Sequence, residues 1–225
     1  QRSMPMEPQH AFSDQERRAL YRCIAERRDM RHFLPDPVPE EVLMRVLQAA
    51  HRAPSVGLMQ PWHFIRVTEP QLRERIYEMV NTERERTAEA LGERGNEFMK
   101  LKVEGIRDCG ELLVVTLRDG RERHIFGRRT LPEMDLASAS CAIQNLWLAA
   151  RAEGLGMGWV SLFDPRALAE LLSIPEEGHP MAILCLGHVE AFYERPMLEI
   201  EGWTEGLSLK HFLSENQYRA AEEDS

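Results

Sequence analysis

Apolar residues recur at helical spacing near the start of the chain and predict two helices. Ser13 and Glu16 form a capping box for the first, which is predicted over residues 14 to 28. An extended connector follows, because it carries three prolines, Pro35, Pro37 and Pro39. The second helix stops before Ala53 and carries its apolar residues on one face: Val42, Leu43, Val46, Leu47 and Ala50.

Short apolar runs later in the chain predict four strands. The run from Glu111 to Leu117 is too short for a buried helix and is rich in β-branched residues, so it is predicted as a central strand. The other strands are predicted at residues 62 to 67, 157 to 161 and 181 to 189. Because these strands are not joined by regular β-α-β units, the predicted class is α+β, with an antiparallel or mixed sheet covered by helices.

The segments between the strands are predicted as helices and one long loop. Two charged helices are predicted within residues 70 to 107, with an exposed junction that contains glycine. Residues 118 to 134 predict a loop of a length that is usually functional or disordered. Residues 135 to 153 form the most apolar helix, which is expected in the core or at a subunit interface. A short helix capped by Asp164 follows.

The domain organisation is predicted to be simple. Residues 1 to 11 are expected to be a disordered N-terminal segment, in which Gln1 to Ser3 are a remnant of the expression vector, and residues 12 to 225 are expected to form one domain. The tail from Glu190 onward has little core signal but contains Trp203 and Phe212. Aromatic residues in such a tail are expected to pack on a partner subunit.

Composition narrows the possible functions. A net charge of -9 in 225 residues argues against general attraction to nucleic acid or anionic lipid, so an anion site must come from a local basic cluster. The four cysteines are widely spaced and predict neither a zinc site nor a disulfide framework, which fits a reducing cytoplasm. No apolar run approaches about 18 residues, so no membrane span is predicted.

One local basic cluster stands out, the segment RRDMR, in which Arg27, Arg28 and Arg31 surround Asp29. By itself such a cluster is more often structural, because exposed ion pairs contribute only about 0 to 1 kcal/mol. The glycines of residues 154 to 158 do not predict a dinucleotide loop, because they follow a helix and open a strand. The histidines match no metal-binding pair, and no activated nucleophile is recognisable.

Two further segments change the interpretation of RRDMR: APSVGLMQPW at residues 53 to 62 and GLGMGWVSLF at residues 154 to 163. Together the three resemble the nitroreductase-type flavoproteins, over about residues 12 to 203. Aspartate in RRDMR, where serine is common, and the run AIQNLWLAARAE at residues 142 to 153 narrow the resemblance to the BluB type, the 5,6-dimethylbenzimidazole synthases.

The resemblance implies an interlocked homodimer of nitroreductase-like fold that binds FMN at the subunit interface. Arginines suit its phosphate and ribityl chain, since guanidinium groups offer forked donors to anionic oxygens. The implied FMN-binding residues are Arg27, Arg28, Asp29, Met30, Arg31, Ser55, Gln60, Lys102, Gly156, Gly158, Trp159 and Ser161. Lys102 is expected on the helix before the second strand. No phosphate ligand is expected from residues 202 to 206, which lack a basic residue.

The resemblance also implies an unusual reaction in which reduced FMN is consumed with dioxygen. The products are 5,6-dimethylbenzimidazole, the lower ligand of vitamin B12, and erythrose 4-phosphate; a flavin reductase supplies the substrate. The positions of Asp29 and Ser161 are the implied catalytic ones. Neighbouring arginines should favour the ionised form of the Asp29 carboxylate, which suits the role of a base. Ser161 suits the role of a hydrogen-bond donor.

Two alternatives stay open at this point. The first is an NAD(P)H-dependent nitroreductase or flavin reductase. Asp29 does not favour this alternative, because a carboxylate near the flavin offers nothing to hydride transfer. The second is a flavin-binding protein without turnover. In each case Met59, Trp62 and Met157 are expected either to exclude water from the flavin or to be plain core. Whether residues 83 to 100 form a lid is also left open.

Overall fold

A four-stranded antiparallel sheet forms the centre of the chain in the computed structural model, which describes residues 3–6 and 8–220. Its spatial order is β1-β2-β4-β3, with β1 at Trp62–Val67, β2 at Glu111–Leu117, β3 at Gly156–Val160 and β4 at His179–Gly187. The predicted strands are confirmed within two residues at each end. The sheet is purely antiparallel, and β2 is an interior strand as its continuous apolar run predicts.

Seven α-helices surround the sheet within the described residues: α1 at Asp14–Glu26, α2 at Glu40–His51, α3 at Pro70–Ala90, α4 at Gly95–Met99, α5 at Met134–Ala152, α6 at Pro165–Leu171 and α7 at Met197–Ile200. The capping box of Ser13 and Glu16 begins α1, and the Asp164 carboxylate begins α6. Gly154 ends α5 with a φ of 79°, a conformation that glycine adopts without strain. These start and stop signals are confirmed.

The helices bury both faces of the sheet. On β2, Leu113, Val115 and Leu117 face one cluster, which α2 and α5 complete. Leu112 and Val114 face a second cluster, to which α3 and α6 contribute. Successive side chains of a strand point to opposite faces, so a strand between two helical layers is apolar at most positions, as β2 is apart from Glu111 and Thr116. The predicted α+β class, with an antiparallel sheet covered by helices, is confirmed in this arrangement.

Two boundaries differ from the sequence prediction. The first helix ends at Glu26 and not at residue 28, because the backbone turns to an extended conformation at Arg27 and then pairs with β3. The helix before β2 ends at Met99, and the Arg84 guanidinium donates to the carbonyl oxygens of Met99 and Leu101 beyond it. Lys102 therefore lies in a loop, and the prediction that a helix carries it is wrong.

The predicted N-terminal segment and the predicted domain lie only partly within the described residues. Residues 1, 2 and 7 of the first and residues 221–225 of the second fall outside them. The two domain predictions therefore stay predictions. None of the described helices is both long enough and apolar enough to cross a bilayer.

Candidate functional site

The segment RRDMR leaves α1 and lies against the edge strand β3. Asp29 forms an isolated parallel bridge with Met157, and the Met30 N–H donates to the Met157 carbonyl oxygen at 2.9 Å. A Cβ on Gly158 would clash with the Met30 carbonyl oxygen, and a Cβ on Gly156 would lie 2.6 Å from Cγ1 of Val189. The glycines of β3 therefore allow the close approach of the chain's own segment, which brings Asp29 to the sheet edge.

The Asp29 carboxylate is held from two sides. Oδ1 accepts a hydrogen bond from the Trp159 N–H at 3.0 Å, and Oδ2 accepts one from Nη2 of Arg31. The Asp29 side chain is nevertheless 44% exposed, whereas that of Arg31 is 11% exposed. The carboxylate is thus fixed in position and still open on one side.

Each of the three arginines of the segment has a different environment. Arg31 also donates to the carbonyl oxygens of Val103 at 2.6 Å and Trp159 at 2.8 Å, so its guanidinium is largely taken up by the protein. Arg28 donates to backbone carbonyl oxygens at the end of α1 and to that of Glu194. The Arg27 guanidinium lies 4.5 Å from the centre of the Trp147 ring. Within the described part of the chain, it makes no hydrogen bond or ion pair.

A cavity of about 470 Å³ opens beside this segment. Its polar lining includes the predicted site residues Arg27, Arg28, Asp29, Arg31, Lys102 and Ser161. Trp159 also lines it, next to Ser161 on the same end of β3. Lys102 is held near the cavity by Asp108, whose Oδ2 lies 3.2 Å from Nζ. The sequence prediction therefore brings most of its residues to one place, and the volume is in the range of small-molecule sites.

Most of the rest of the cavity lining forms an apolar wall, to which the end of α3, α4, the tail and the segments after α4 and β3 contribute. Its residues are Leu91, Phe98, Leu101, Leu162, Pro196, Met197, Leu198 and Trp203. Trp203 packs on Phe98 with ring centroids 6.2 Å apart, and the Arg94 guanidinium lies 3.5 Å from the Trp203 ring centre. The tail thus covers the cavity of its own chain through Trp203, which the sequence analysis assigned to contact with a partner.

Among the described residues, no cluster of histidine, cysteine, aspartate and glutamate is arranged to hold a metal ion. The polar side chains that line the cavity include one carboxylate, two hydroxyls and several cationic groups, in an otherwise apolar surrounding.

Known proteins resemble this chain in both sequence and fold. The model of the Nitroreductase family matches residues 24–188, which include RRDMR, the sheet and the glycines of β3. The chain belongs to the nitroreductase family. Solved structures agree at the level of the fold: nitroreductase A from Vibrio parahaemolyticus has a TM-score of 0.68 at 21% identity, covering 91% of this chain and 78% of that one. The NADPH:FMN oxidoreductase from Vibrio harveyi has a TM-score of 0.69 at 20% identity, with coverage of 91% and 80%.

Sequence relatives place the chain more narrowly within the family. A 5,6-dimethylbenzimidazole synthase from Rhodobacter capsulatus is 40% identical over 198 residues, which are 87% of this chain and 96% of the relative. Another from Rhodospirillum rubrum is 42% identical over 180 residues, covering 79% and 85%. The predicted branch of the family and the prediction of an enzyme are confirmed by these relatives.

Not all predicted site residues of this nitroreductase-family chain meet at the cavity. Ser55 and Gln60 lie before β1, where Oγ of Ser55 accepts the Gln60 N–H at 3.1 Å and Arg118 donates to the Gln60 carbonyl oxygen at 2.9 Å. Neither residue lines the cavity. The predicted site is therefore split into two groups on a single chain, one around Asp29 and one around Ser55.

Several other expectations change with the structure. Gly156 and Gly158 do not line the cavity, because their close neighbours are protein atoms, and the Met30 side chain is buried in the core. Three residues considered for water exclusion, Met59, Trp62 and Met157, are core residues that do not line it either. The residues that cover the cavity are those of the apolar wall. No periodic pattern marked them, because most lie in irregular segments.

Proposed function

We propose that this enzyme converts reduced FMN and dioxygen into 5,6-dimethylbenzimidazole and erythrose 4-phosphate. The observation that carries the proposal is the Asp29 carboxylate, held at the cavity by Trp159 and Arg31 but open on one side. Support comes also from relatives named 5,6-dimethylbenzimidazole synthase at 40% and 42% identity. A solved structure of similar fold is that of iodotyrosine deiodinase bound to FMN and 3-iodo-L-tyrosine, at 24% identity and a TM-score of 0.64.

The residues present fit FMN. Arg27 has a guanidinium without a hydrogen bond to the described chain, which suits an anionic phosphate. Nε of Arg28 is buried without a hydrogen-bond partner among the described residues, and Arg28 lines the cavity. A buried donor without a partner costs about 1 to 3 kcal/mol, so a polar ligand atom there stabilises the site. The apolar wall suits a flat heterocycle.

Asp29 is the proposed catalytic base. When bound, reduced FMN supplies the electrons that reduce dioxygen and the carbons that become the product. The chain's own contribution is to hold and move protons, which positioned carboxylates accelerate by about 10² to 10⁴-fold. The Trp159 N–H and Arg31 each hold one oxygen of the carboxylate, and the exposed part of the side chain is left for the proton.

Ser161 is the proposed second catalytic residue. It follows β3 directly and lines the same cavity as Asp29, with an exposed side chain. Its hydroxyl can donate a hydrogen bond to the substrate or orient it. Arg31 is proposed to position Asp29, because its guanidinium bridges the carboxylate and two carbonyl oxygens. This role accounts for its burial better than phosphate binding does.

A homodimer and a flavin reductase complete the proposal. Ser55 and Gln60 lie away from the cavity of their own chain, so we propose that they approach the flavin bound by a second copy. The apolar wall excludes water from the cavity, which prevents hydrolytic side reactions. A separate flavin reductase is the proposed source of reduced FMN.

The proposal is tested with reduced FMN, air and chromatography of the products. Wild-type protein should consume FMN and form 5,6-dimethylbenzimidazole in equal amounts. Asp29→Asn should keep FMN affinity, because its amide oxygen can still accept the Trp159 N–H, but lower product formation by about 10² to 10⁴-fold. Asp36→Asn, at an exposed aspartate, is the matched control. NAD(P)H oxidation with flavin intact, or full activity in Asp29→Asn, would contradict the proposal.

A further inference from the structure

Tyr193 lies in the segment that follows β4. It contacts the backbone at the end of RRDMR, the site segment. Its hydroxyl oxygen accepts hydrogen bonds from the backbone N–H groups of Arg31 at 3.1 Å and His32 at 3.2 Å. Two further contacts join the same segments: the Leu34 N–H donates to the His188 carbonyl oxygen at 2.9 Å, and Nη2 of Arg28 donates to that of Glu194 at 2.9 Å. Residues 28 to 34 are thus held on this side by residues 188 to 194.

The hydrogen bonds of Tyr193 use the whole capacity of its hydroxyl group. A phenol oxygen accepts two hydrogen bonds and donates one. With both lone pairs directed at backbone N–H groups, the proton is left for Nδ1 of His32, which lies 2.6 Å away. The His32 and Tyr193 rings meet edge to face at 84°, with centroids 5.9 Å apart. The phenol therefore has one orientation, and it fixes two consecutive backbone groups.

The backbone N–H groups of Arg31 and His32 lie at the end of the site segment, close to Asp29 in sequence. The other side of that segment is held by β3, through the Met30 N–H and the Met157 carbonyl oxygen. Nε1 of Trp147 adds bonds to the carbonyl oxygens of Arg28 at 3.2 Å and Met157 at 3.0 Å. The backbone of Arg31 is fixed by Tyr193, and its guanidinium contacts the Asp29 carboxylate. Tyr193 itself does not line the cavity.

We propose that Tyr193 is a positioning residue for Asp29. It clamps the backbone of Arg31 and His32 and so sets where the Arg31 guanidinium holds the carboxylate. The inference rests on the proposed function for its catalytic consequence, but the clamp itself is a property of the protein alone. A misplacement of about 1 Å in a catalytic group can cost about 10²-fold in rate, so a clamp outside the cavity affects turnover.

Tyr193→Phe tests the clamp, because it removes the hydroxyl and keeps the ring. We expect kcat for 5,6-dimethylbenzimidazole formation to fall about 10- to 100-fold while KM for reduced FMN stays within about twofold. Amide hydrogen exchange of the protein without flavin should be faster in the peptide that contains Arg31 and His32. The matched control is Tyr77→Phe, since the Tyr77 hydroxyl has no hydrogen-bond partner among the described residues.

The second variant is His32→Leu, which removes the acceptor of the phenol proton at an exposed side chain and leaves the fold intact. It should lower kcat about three- to tenfold. Unchanged kcat in Tyr193→Phe, an altered KM with unchanged kcat, or unchanged exchange would each overturn the inference. If Tyr193→Phe does not fold, unchanged kcat in His32→Leu overturns it. A wild-type protein that forms no product would refute the proposed function, and the exchange measurement would still decide the clamp.

Discussion

Arg27, Arg28 and Arg31 lie within five residues of each other, and their contacts separate them into three roles. Arg28 donates to carbonyl oxygens at the end of α1, and Arg31 holds Asp29. Arg27 keeps its whole guanidinium available at the cavity while stacking on Trp147, whereas Arg28 keeps only its buried Nε without a partner among the described residues. The cluster by itself is more often structural, and only the resemblance made it a candidate site; equal charges in one short segment cannot show which of them a ligand would contact.

At this scale, Arg27→Ala is expected to weaken FMN binding about 10- to 100-fold. A hydrogen bond to a charged group contributes about 1.5 to 3 kcal/mol, and each 1.4 kcal/mol is tenfold in affinity. Flavin fluorescence during titration measures the dissociation constant. Arg18→Ala, at an exposed arginine of α1, should leave the affinity unchanged. Equal affinity in Arg27→Ala and wild type would assign Arg27 to packing on Trp147 instead.

Among the elements, α4 and the tail meet over the cavity. Arg94 lies 3.5 Å from the Trp203 ring centre, and its Nη2 donates to the Trp203 carbonyl oxygen at 2.9 Å. The two residues are 109 positions apart in sequence. Charge and glycines indicated an exposed junction near Gly92 and Gly95, but its contact with the tail is a tertiary fact that no local pattern encodes.

We expect the contact between Arg94 and Trp203 to help close the cavity. Arg94→Ala removes a cation-π contact of about 0.5 to 2 kcal/mol and a hydrogen bond, so residues 92 to 99 should exchange amide hydrogens faster and FMN should dissociate several-fold faster. Arg107→Ala is the matched control, because Arg107 also lies over an aromatic ring, 3.6 Å from the centre of Tyr77, and pairs with Glu74. If both variants release FMN at the wild-type rate, the contact does not close the cavity.

On the scale of the whole molecule, apolar surfaces on α1 and on the tail face solvent in the single chain. The amphipathic helix α1 has no buried residue, and it exposes Leu20, Tyr21 and Ile24. The tail exposes a second set, Leu207, Leu209, Phe212, Leu213 and Tyr218. Exposed apolar patches of this kind are typical of subunit interfaces, and they support the predicted homodimer, which stays a prediction.

The dimer can be tested by changing the tail. Light scattering should give a dimeric mass for the wild type and a lower mass for the double variant Leu209→Glu, Phe212→Glu, which places charges on the exposed apolar positions. Its FMN affinity should fall as well, since Ser55 and Gln60 of a second copy are then lost. Leu209–Phe212 form a 3-10 helix, and Lys210→Glu, which adds a carboxylate to the same helix, should leave the dimer intact. A monomeric wild type with full FMN affinity would contradict the prediction.

The sequence by itself predicted the strands, most helix ends and RRDMR as a candidate site segment. Periodicity, caps and prolines act over a few residues and report local structure directly. Tertiary structure alone decided that Asp29 lies against β3, that Lys102 lies in a loop, that Trp203 covers the cavity of its own chain, and that Tyr193 holds the site segment. Each of these depends on residues far apart in sequence, whose meeting is determined by the packing of the whole chain and leaves no trace in a local pattern.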